Sequence, residues 1–152
     1  MATSFSEIYD LALVSIRDYK INQIFENGLE DFENFMLGFL KKAIPKFNNC
    51  NTDLEDSLDF ENSAFTEILT LKEQVILSNL MIIEWLNSKI LDVTQMQLHL
   101  NDTDFRHYAE ERNLSGKMSA REIFREVISQ DMVDYGIKNI PWADWSNGNF
   151  GI

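Results

Sequence analysis

One cysteine, Cys50, stands in a chain of 152 residues. An intrachain disulfide is therefore excluded, and a reducing compartment is natural for the protein. Bases are scarce as well: 13 Lys and Arg stand against 25 Asp and Glu, for a net charge of -12. This excludes the usual mode of nucleic-acid binding, in which Lys and Arg displace the counterions of the phosphates. It fits a protein that repels DNA or meets a basic partner. Long apolar runs are missing too. The most apolar window, Val75 to Leu86, is broken by Ser78, Asn79 and Glu84, and is too short and polar to span a bilayer, so no membrane association is expected. The opening MATSFSEIYD has no basic segment before an apolar one, so no signal peptide is expected. There is no phosphate-binding loop and no dinucleotide-binding glycine fingerprint.

What is present is apolar and periodic. With 45% apolar residues, a chain of this length forms one domain with its own core. Three boxes of Ser or Thr followed three residues later by Glu mark helix starts. Ser4 to Glu7 precedes Ile8, Leu11, Ala12, Ser15, Ile16 and Tyr19 at helical spacing. Thr70 to Glu73 opens a segment to about His99 whose first half is apolar nearly all round, as in the central helix of a bundle. Ser119 to Glu122 precedes Ile123, Phe124, Val127, Ile128 and Met132, read as one stripe with Gly136 as its C-cap. A further helix places Leu29, Phe32, Met36, Phe39 and Leu40 on one face and should end or kink at Pro45. No strand pattern of any length occurs. The expected fold is all-α: a small bundle of about four main helices, residues 1–135, with a long acidic loop and an extended aromatic arm, residues 136–152.

The acidic loop holds Asp53, Glu55, Asp56, Asp59, Glu61 and Glu67, with no Lys or Arg from Phe47 to Leu71. A short strand or turn of its own is allowed. With few apolar anchors it is expected to be mobile and to add little stability. A second irregular connection, residues 100–117, has room for one short helix around residues 105–112.

Candidate chemistry is sparse. Cys50 has no nearby His and no positive surroundings, and reads as inert. His107 and Glu111 stand at i, i+4 behind Asp102 and Asp104, residue types that ligate metals. The segment DTDFRH nevertheless lacks the third ligand and the glycine of a calcium loop, and its Asp residues read as helix caps. Glu84 beside Trp85 is the other oddity, expected to face outward or to pair with a base. The six methionines read as core filler. No catalytic, cofactor-binding or metal-binding residue is assigned, no cofactor is expected, and the chain reads as a non-enzyme.

The tail is different. DYGIKNIPWADWSNGNFGI carries three of the six glycines and one of the two prolines, and Lys138 and Asp144 are its only charges beyond Gly136. Such a stretch is expected to be non-helical and to need covering. Trp142, Trp145 and Phe150 are the candidate partner-binding anchors, with Tyr135 at the exit from the last helix. The alternative is that the tail folds back on its own helices.

Three segments carry a resemblance: LKKAIPKFNNC (Leu40 to Cys50), LTLKEQVILSNLMIIEWLNSKI (Leu69 to Ile90) and QLHLNDTDFRHYAEERNL (Gln97 to Leu114). They resemble the helical head–tail connector, or neck adaptor, proteins of tailed phages infecting Gram-positive bacteria. The order of parts over roughly residues 4–135 is also similar: short helix, Ala-Ile-Pro helix, acidic loop, long helix with Glu-Trp-Leu, final helix and tail. The resemblance implies a helical bundle without enzymatic activity, located in the virion neck and assembled in the host cytoplasm. It implies a homo-oligomeric ring, typically of twelve copies, between the portal protein and a lower neck or tail-completion protein, with the genome passing through its channel without sequence-specific binding. In such adaptors a C-terminal extension often grips the portal. Two other readings fit the composition: an acidic DNA-mimic inhibitor of a nucleic-acid enzyme, and an all-α enzyme using Glu84, His107 or Glu111.

Overall fold

The computed structural model describes residues 2–99 and 104–148, and the protein is mostly helical. Helix α1 (Phe5–Ser15) starts where the first box places it, with Ser4 Oγ accepting the Ser6 amide at 3.3 Å. It buries Phe5, Ile8, Tyr9 and Ala12. The stripe does not run on to Tyr19. Backbone at Ile16 and Asp18 is extended, and the Asp18 carboxylate accepts the Lys20 amide at 2.9 Å to open a new helix, α2 (Tyr19–Asn27). Tyr19 consequently lies at the first position of α2 and is exposed.

Helix α3 (Leu29–Ala43) buries Phe32, Met36, Phe39, Leu40 and Ala43, while Leu29, expected on the same face, is exposed. Its acids lead and its lysines trail, as the helix dipole favours. Pro45 ends it in a 3₁₀ turn, Ile44–Lys46.

The acidic loop contributes to the core rather than skirting it. Leu54, Ala64 and Phe65 are buried. Two short strands, β2 (Leu58–Asp59) and β3 (Ala64–Phe65), join β1 (Thr3–Ser4) in an antiparallel sheet ordered β1-β3-β2. Thr3 and Leu58 both pair with Phe65, whose ring packs edge-on to Phe5 at 5.1 Å. The turn between β2 and β3 is held by Asp59, which accepts the Asn62 amide at 3.1 Å, and by Ser63 in the left-handed region at φ 50°. At the loop's end the Leu69 amide donates to Thr3 Oγ1 at 2.8 Å. The carboxylates face outward while a few apolar side chains fix the backbone, an arrangement that a count of charges does not reveal.

Helix α4 (Leu71–His99) is the centre of the bundle and packs against α1, α3 and α5. Its capping box closes reciprocally: the Glu73 amide donates to Thr70 Oγ1 at 3.3 Å, and the Thr70 amide donates to Glu73 Oε2 at 2.7 Å. Ile76, Leu77, Leu80, Met81, Ile82, Ile83 and Leu86 are buried. From residue 87 to 95 no side chain is fully buried.

Helix α5 (Asp104–Lys138) is antiparallel to α4, as the Lys72–Asp131 ion pair at 2.6 Å and the Arg121–Asn87 hydrogen bond at 3.2 Å require. Four expectations fail here. The connection expected to be irregular over residues 100–117 is helical from Asp104 on, continuous with the rest of α5. The box at Ser119 starts no helix, because α5 is already running and supplies carbonyl partners for the amides the box would cap. Gly136 is no C-cap. It lies inside α5, where an added Cβ would meet Asn49 Nδ2 at 3.2 Å, so the glycine permits a close approach. The boundary between residues 135 and 136 thus falls within a helix. The expected single stripe also divides. Phe124, Ile128 and Met132 face the core, whereas Ile123 is 62% and Val127 55% exposed. Adjacent apolar residues on a helix point about 100° apart, so the pairs Ile123–Phe124 and Val127–Ile128 populate two faces.

The tail, expected to be irregular, contains a helix of five residues, α6 (Trp142–Ser146). Pro141 precedes it, and its carbonyl accepts the Trp145 amide at 3.3 Å. Proline suits a helix start, where its missing N–H has no partner to lose.

Candidate functional site

Polar side chains gather at three places. At the first, the start of α4 meets the end of α5. The Tyr135 hydroxyl donates to Glu73 Oε1 at 2.6 Å and accepts the Asn51 amide at 3.0 Å. The Cys50 thiol lies 3.8 Å from the same carboxylate oxygen. Asn49 Nδ2 donates to the Met132 carbonyl at 2.7 Å, and Phe47 packs edge-on to Tyr135. Burial, and then the hydrogen bond to Glu73, push the Tyr135 hydroxyl far above its ordinary range. Burial likewise raises the Cys50 thiol. Both shifts favour the protonated form. Glu73 spends one oxygen on the helix cap and the other on Tyr135. The cluster ties the loop after α3 to both long helices.

At the second place, Glu84 is buried in α4 and paired with Lys46, which follows Pro45. The expectation of a base partner is met. Burial, with the nearby charges of Arg125 and Lys42, lowers the Lys46 ammonium below its ordinary value.

At the third, the Asp18 carboxylate accepts from Trp85 Nε1 at 2.9 Å and pairs with Lys89 at 2.7 Å. Burial would raise this carboxyl, but the hydrogen bonds from Lys89, Trp85 and the Lys20 amide hold it below the usual value. Asp18 thereby links the α1–α2 corner to α4.

The tail presents a different surface. Trp142 is 55% and Trp145 50% exposed, and their rings meet edge-to-face with centroids 5.9 Å apart. Trp142 Nε1 donates to the Ile137 carbonyl at 3.2 Å, which fixes the indole to the end of α5. Tyr135 is buried within its own chain and does not join the two tryptophans at the surface. Phe150 lies outside the described residues, as do Asp102 and the side chains of Asp104, His107 and Glu111. Among the described residues no group of three or more His, Cys, Asp or Glu is placed to hold a metal ion, and no helix is long and apolar enough to cross a membrane.

The outward face of α5 is the feature that sequence reading missed. Ile123, Val127, Val133 and Ile137 are about half exposed or more along it. The doubled apolar pairs at 123–124 and 127–128 were the available signal. A helix with one buried face has no need of them. No family model, no curated protein and no solved structure matches the chain.

Proposed function

We propose that the chain is a structural virion protein, a head–tail connector that forms a ring between the portal protein and a lower neck or tail-completion protein. The observation that carries this reading is the order of parts along the helical chain: the α3 helix ending at Ala-Ile-Pro, the acidic segment, the central α4 with Glu84-Trp85-Leu86, then α5 and an aromatic end. Two further features support it. Trp142 and Trp145 stand half exposed at the end of α5, where a docking part needs anchors. The net charge of -12 suits a wall past which DNA must slide, because an attractive wall would bind the genome. On this reading the polar clusters at Glu73, Glu84 and Asp18 hold the subunit together.

Mixing the purified chain with DNA-filled, portal-bearing capsids of its own phage tests the proposal. The expected result is co-sedimentation with capsids and a ring of added density at the portal vertex by electron microscopy. A chain that ignores portals and instead inhibits a basic nucleic-acid enzyme would replace this reading with that of an acidic DNA mimic.

A further inference from the structure

Helix α5 is apolar on two sides, and only one of them is covered by α4. On the other side Ala120, Ile123, Val127, Gln130, Asp134 and Ile137 recur at alternating intervals of three and four residues, and all are exposed. That interval defines a seam for a second helix, and β-branched residues at three of the six positions are typical of such seams. The seam is edged and interrupted by acids. Glu122 and Glu126 flank it, and Asp134 lies in it, accepting from Gln130 Nε2 at 2.8 Å. Arg121 and Arg125 are both turned to Glu122, at 3.3 and 3.7 Å, so the charge offered to a partner comes from Glu126 and Asp134, with Lys138 at the seam's end. There Trp142 is pinned to the Ile137 carbonyl and extends the apolar surface past the helix.

We infer that this face of α5 is a docking surface for an amphipathic helix of another polypeptide, one whose apolar stripe is flanked by Lys or Arg. Charge complementarity selects the occupant. A second copy is a poor fit: parallel pairing sets Asp134 against Asp134, antiparallel pairing about Gln130 sets Asp134 against Val127, and each copy carries a net charge of -12. A basic amphipathic helix buries Ile123, Val127 and Ile137 while its cations meet Glu126 and Asp134. The inference does not depend on the connector reading. Portal-bearing capsids test that reading, whereas the surface is tested with peptides.

Three synthetic peptides of about 21 residues, three heptads, serve as probes: Leu at the seam positions with Lys flanks, the same with Glu flanks, and a scramble of the Lys version. Each is titrated calorimetrically into the full chain at about 0.15 M salt, where long-range attraction is screened. The Lys-flanked helix binds, and the scramble binds about tenfold more weakly or worse. Val127→Asp and Ile137→Asp each weaken the Lys-flanked helix by about tenfold or more, with circular dichroism unchanged because both sites are exposed. Glu126→Lys weakens it too, and strengthens the Glu-flanked helix. Equal binding of the scramble, or insensitivity to Val127→Asp, overturns the inference by reducing it to bare charge attraction. Self-association of the wild-type chain that Val127→Asp abolishes in sedimentation also overturns it, in favour of a second copy.

Discussion

The hydroxyl of Tyr135 reaches Glu73 across 62 residues of sequence and binds it at 2.6 Å. Glu73 is also half of the capping box that starts α4, so one buried carboxylate sets both the beginning of α4 and the register of α5 against it. Tyr135→Phe keeps the ring against Phe47 but leaves the Glu73 oxygen and the Asn51 amide without this partner. The expected cost is about 1–3 kcal/mol, the usual penalty for a buried polar group that loses its bond. Urea unfolding of the variant measures it. A loss under about 0.5 kcal/mol, the range of ordinary surface changes, would show that the joint is not needed for stability.

Core and surface positions on the long helices should separate sharply. Ile83 is buried in α4 and Ile123 is exposed on α5. Ile83→Ala is expected to cost about 2–5 kcal/mol, as for a buried aliphatic that leaves a cavity. Ile123→Ala should stay within about 0.5 kcal/mol. Equal effects in chemical denaturation would mean that α4 is not central or that the outer side of α5 is covered within the monomer.

Asp18 predicts an acid limb of stability. Its folded carboxyl is held below the ordinary value of 3.8, so the stabilisation it provides is complete above that value and is lost as pH falls through the lower folded value. Asp18→Asn should be less stable than wild type at pH 7, with the gap narrowing as pH drops toward about 2. Denaturation midpoints of the two proteins across that range check the sign. A gap that widens on acidification contradicts the assignment.

Ser63 occupies the left-handed region at φ 50° in the turn between β2 and β3. Glycine adopts that conformation without steric cost, so Ser63→Gly should raise stability by up to about 1 kcal/mol. Ser63→Val should lower it, because a β-branched residue resists positive φ. Thermal unfolding of the pair decides. The same midpoint for both would mean that the turn relaxes freely.

The aromatic end should be separable from the fold. Ending the chain after Asn139 keeps α5 whole and removes α6 with both tryptophans, which are about half exposed. Helical content and thermal midpoint should change little, while binding to portal-bearing capsids, on the proposed function, should be lost. Unfolding of the shortened chain would show that the tail is part of the core.

Local signals were readable in the sequence where a helix begins from nothing. Ser4 and Thr70 cap helices as expected because the amides after them have no earlier carbonyls to use. The identical logic failed at Ser119, since a capping box cannot report whether a helix is already under way. Tyr19 was placed on α1 by periodicity alone. The break before it depends on Asp18 finding Trp85 and Lys89, residues more than sixty positions away. Phe65 and Leu54 were hidden among carboxylates, and the burial of Phe65 comes from pairing with Thr3 and packing on Phe5, which no local pattern encodes. Of the candidate anchors, Trp142 and Trp145 are at the surface, whereas Tyr135 is drawn inward by Glu73, a partner on another helix.

The antiparallel pair of α4 and α5 has the geometry of a lever. Its footing is the buried stretch from Ile76 to Leu86 with Ile128 and Tyr135 opposite, and no residue from 87 to 95 or from 112 to 127 is fully buried. At 1.5 Å per residue, the part of α4 beyond Leu86 extends about 20 Å from that footing. A tilt of about 10° at the base therefore moves the far end of α4 by about 3–4 Å, more than the spacing of a hydrogen bond. Conversely, a small push on the far end arrives at the base as torque on the joint between Glu73 and Tyr135.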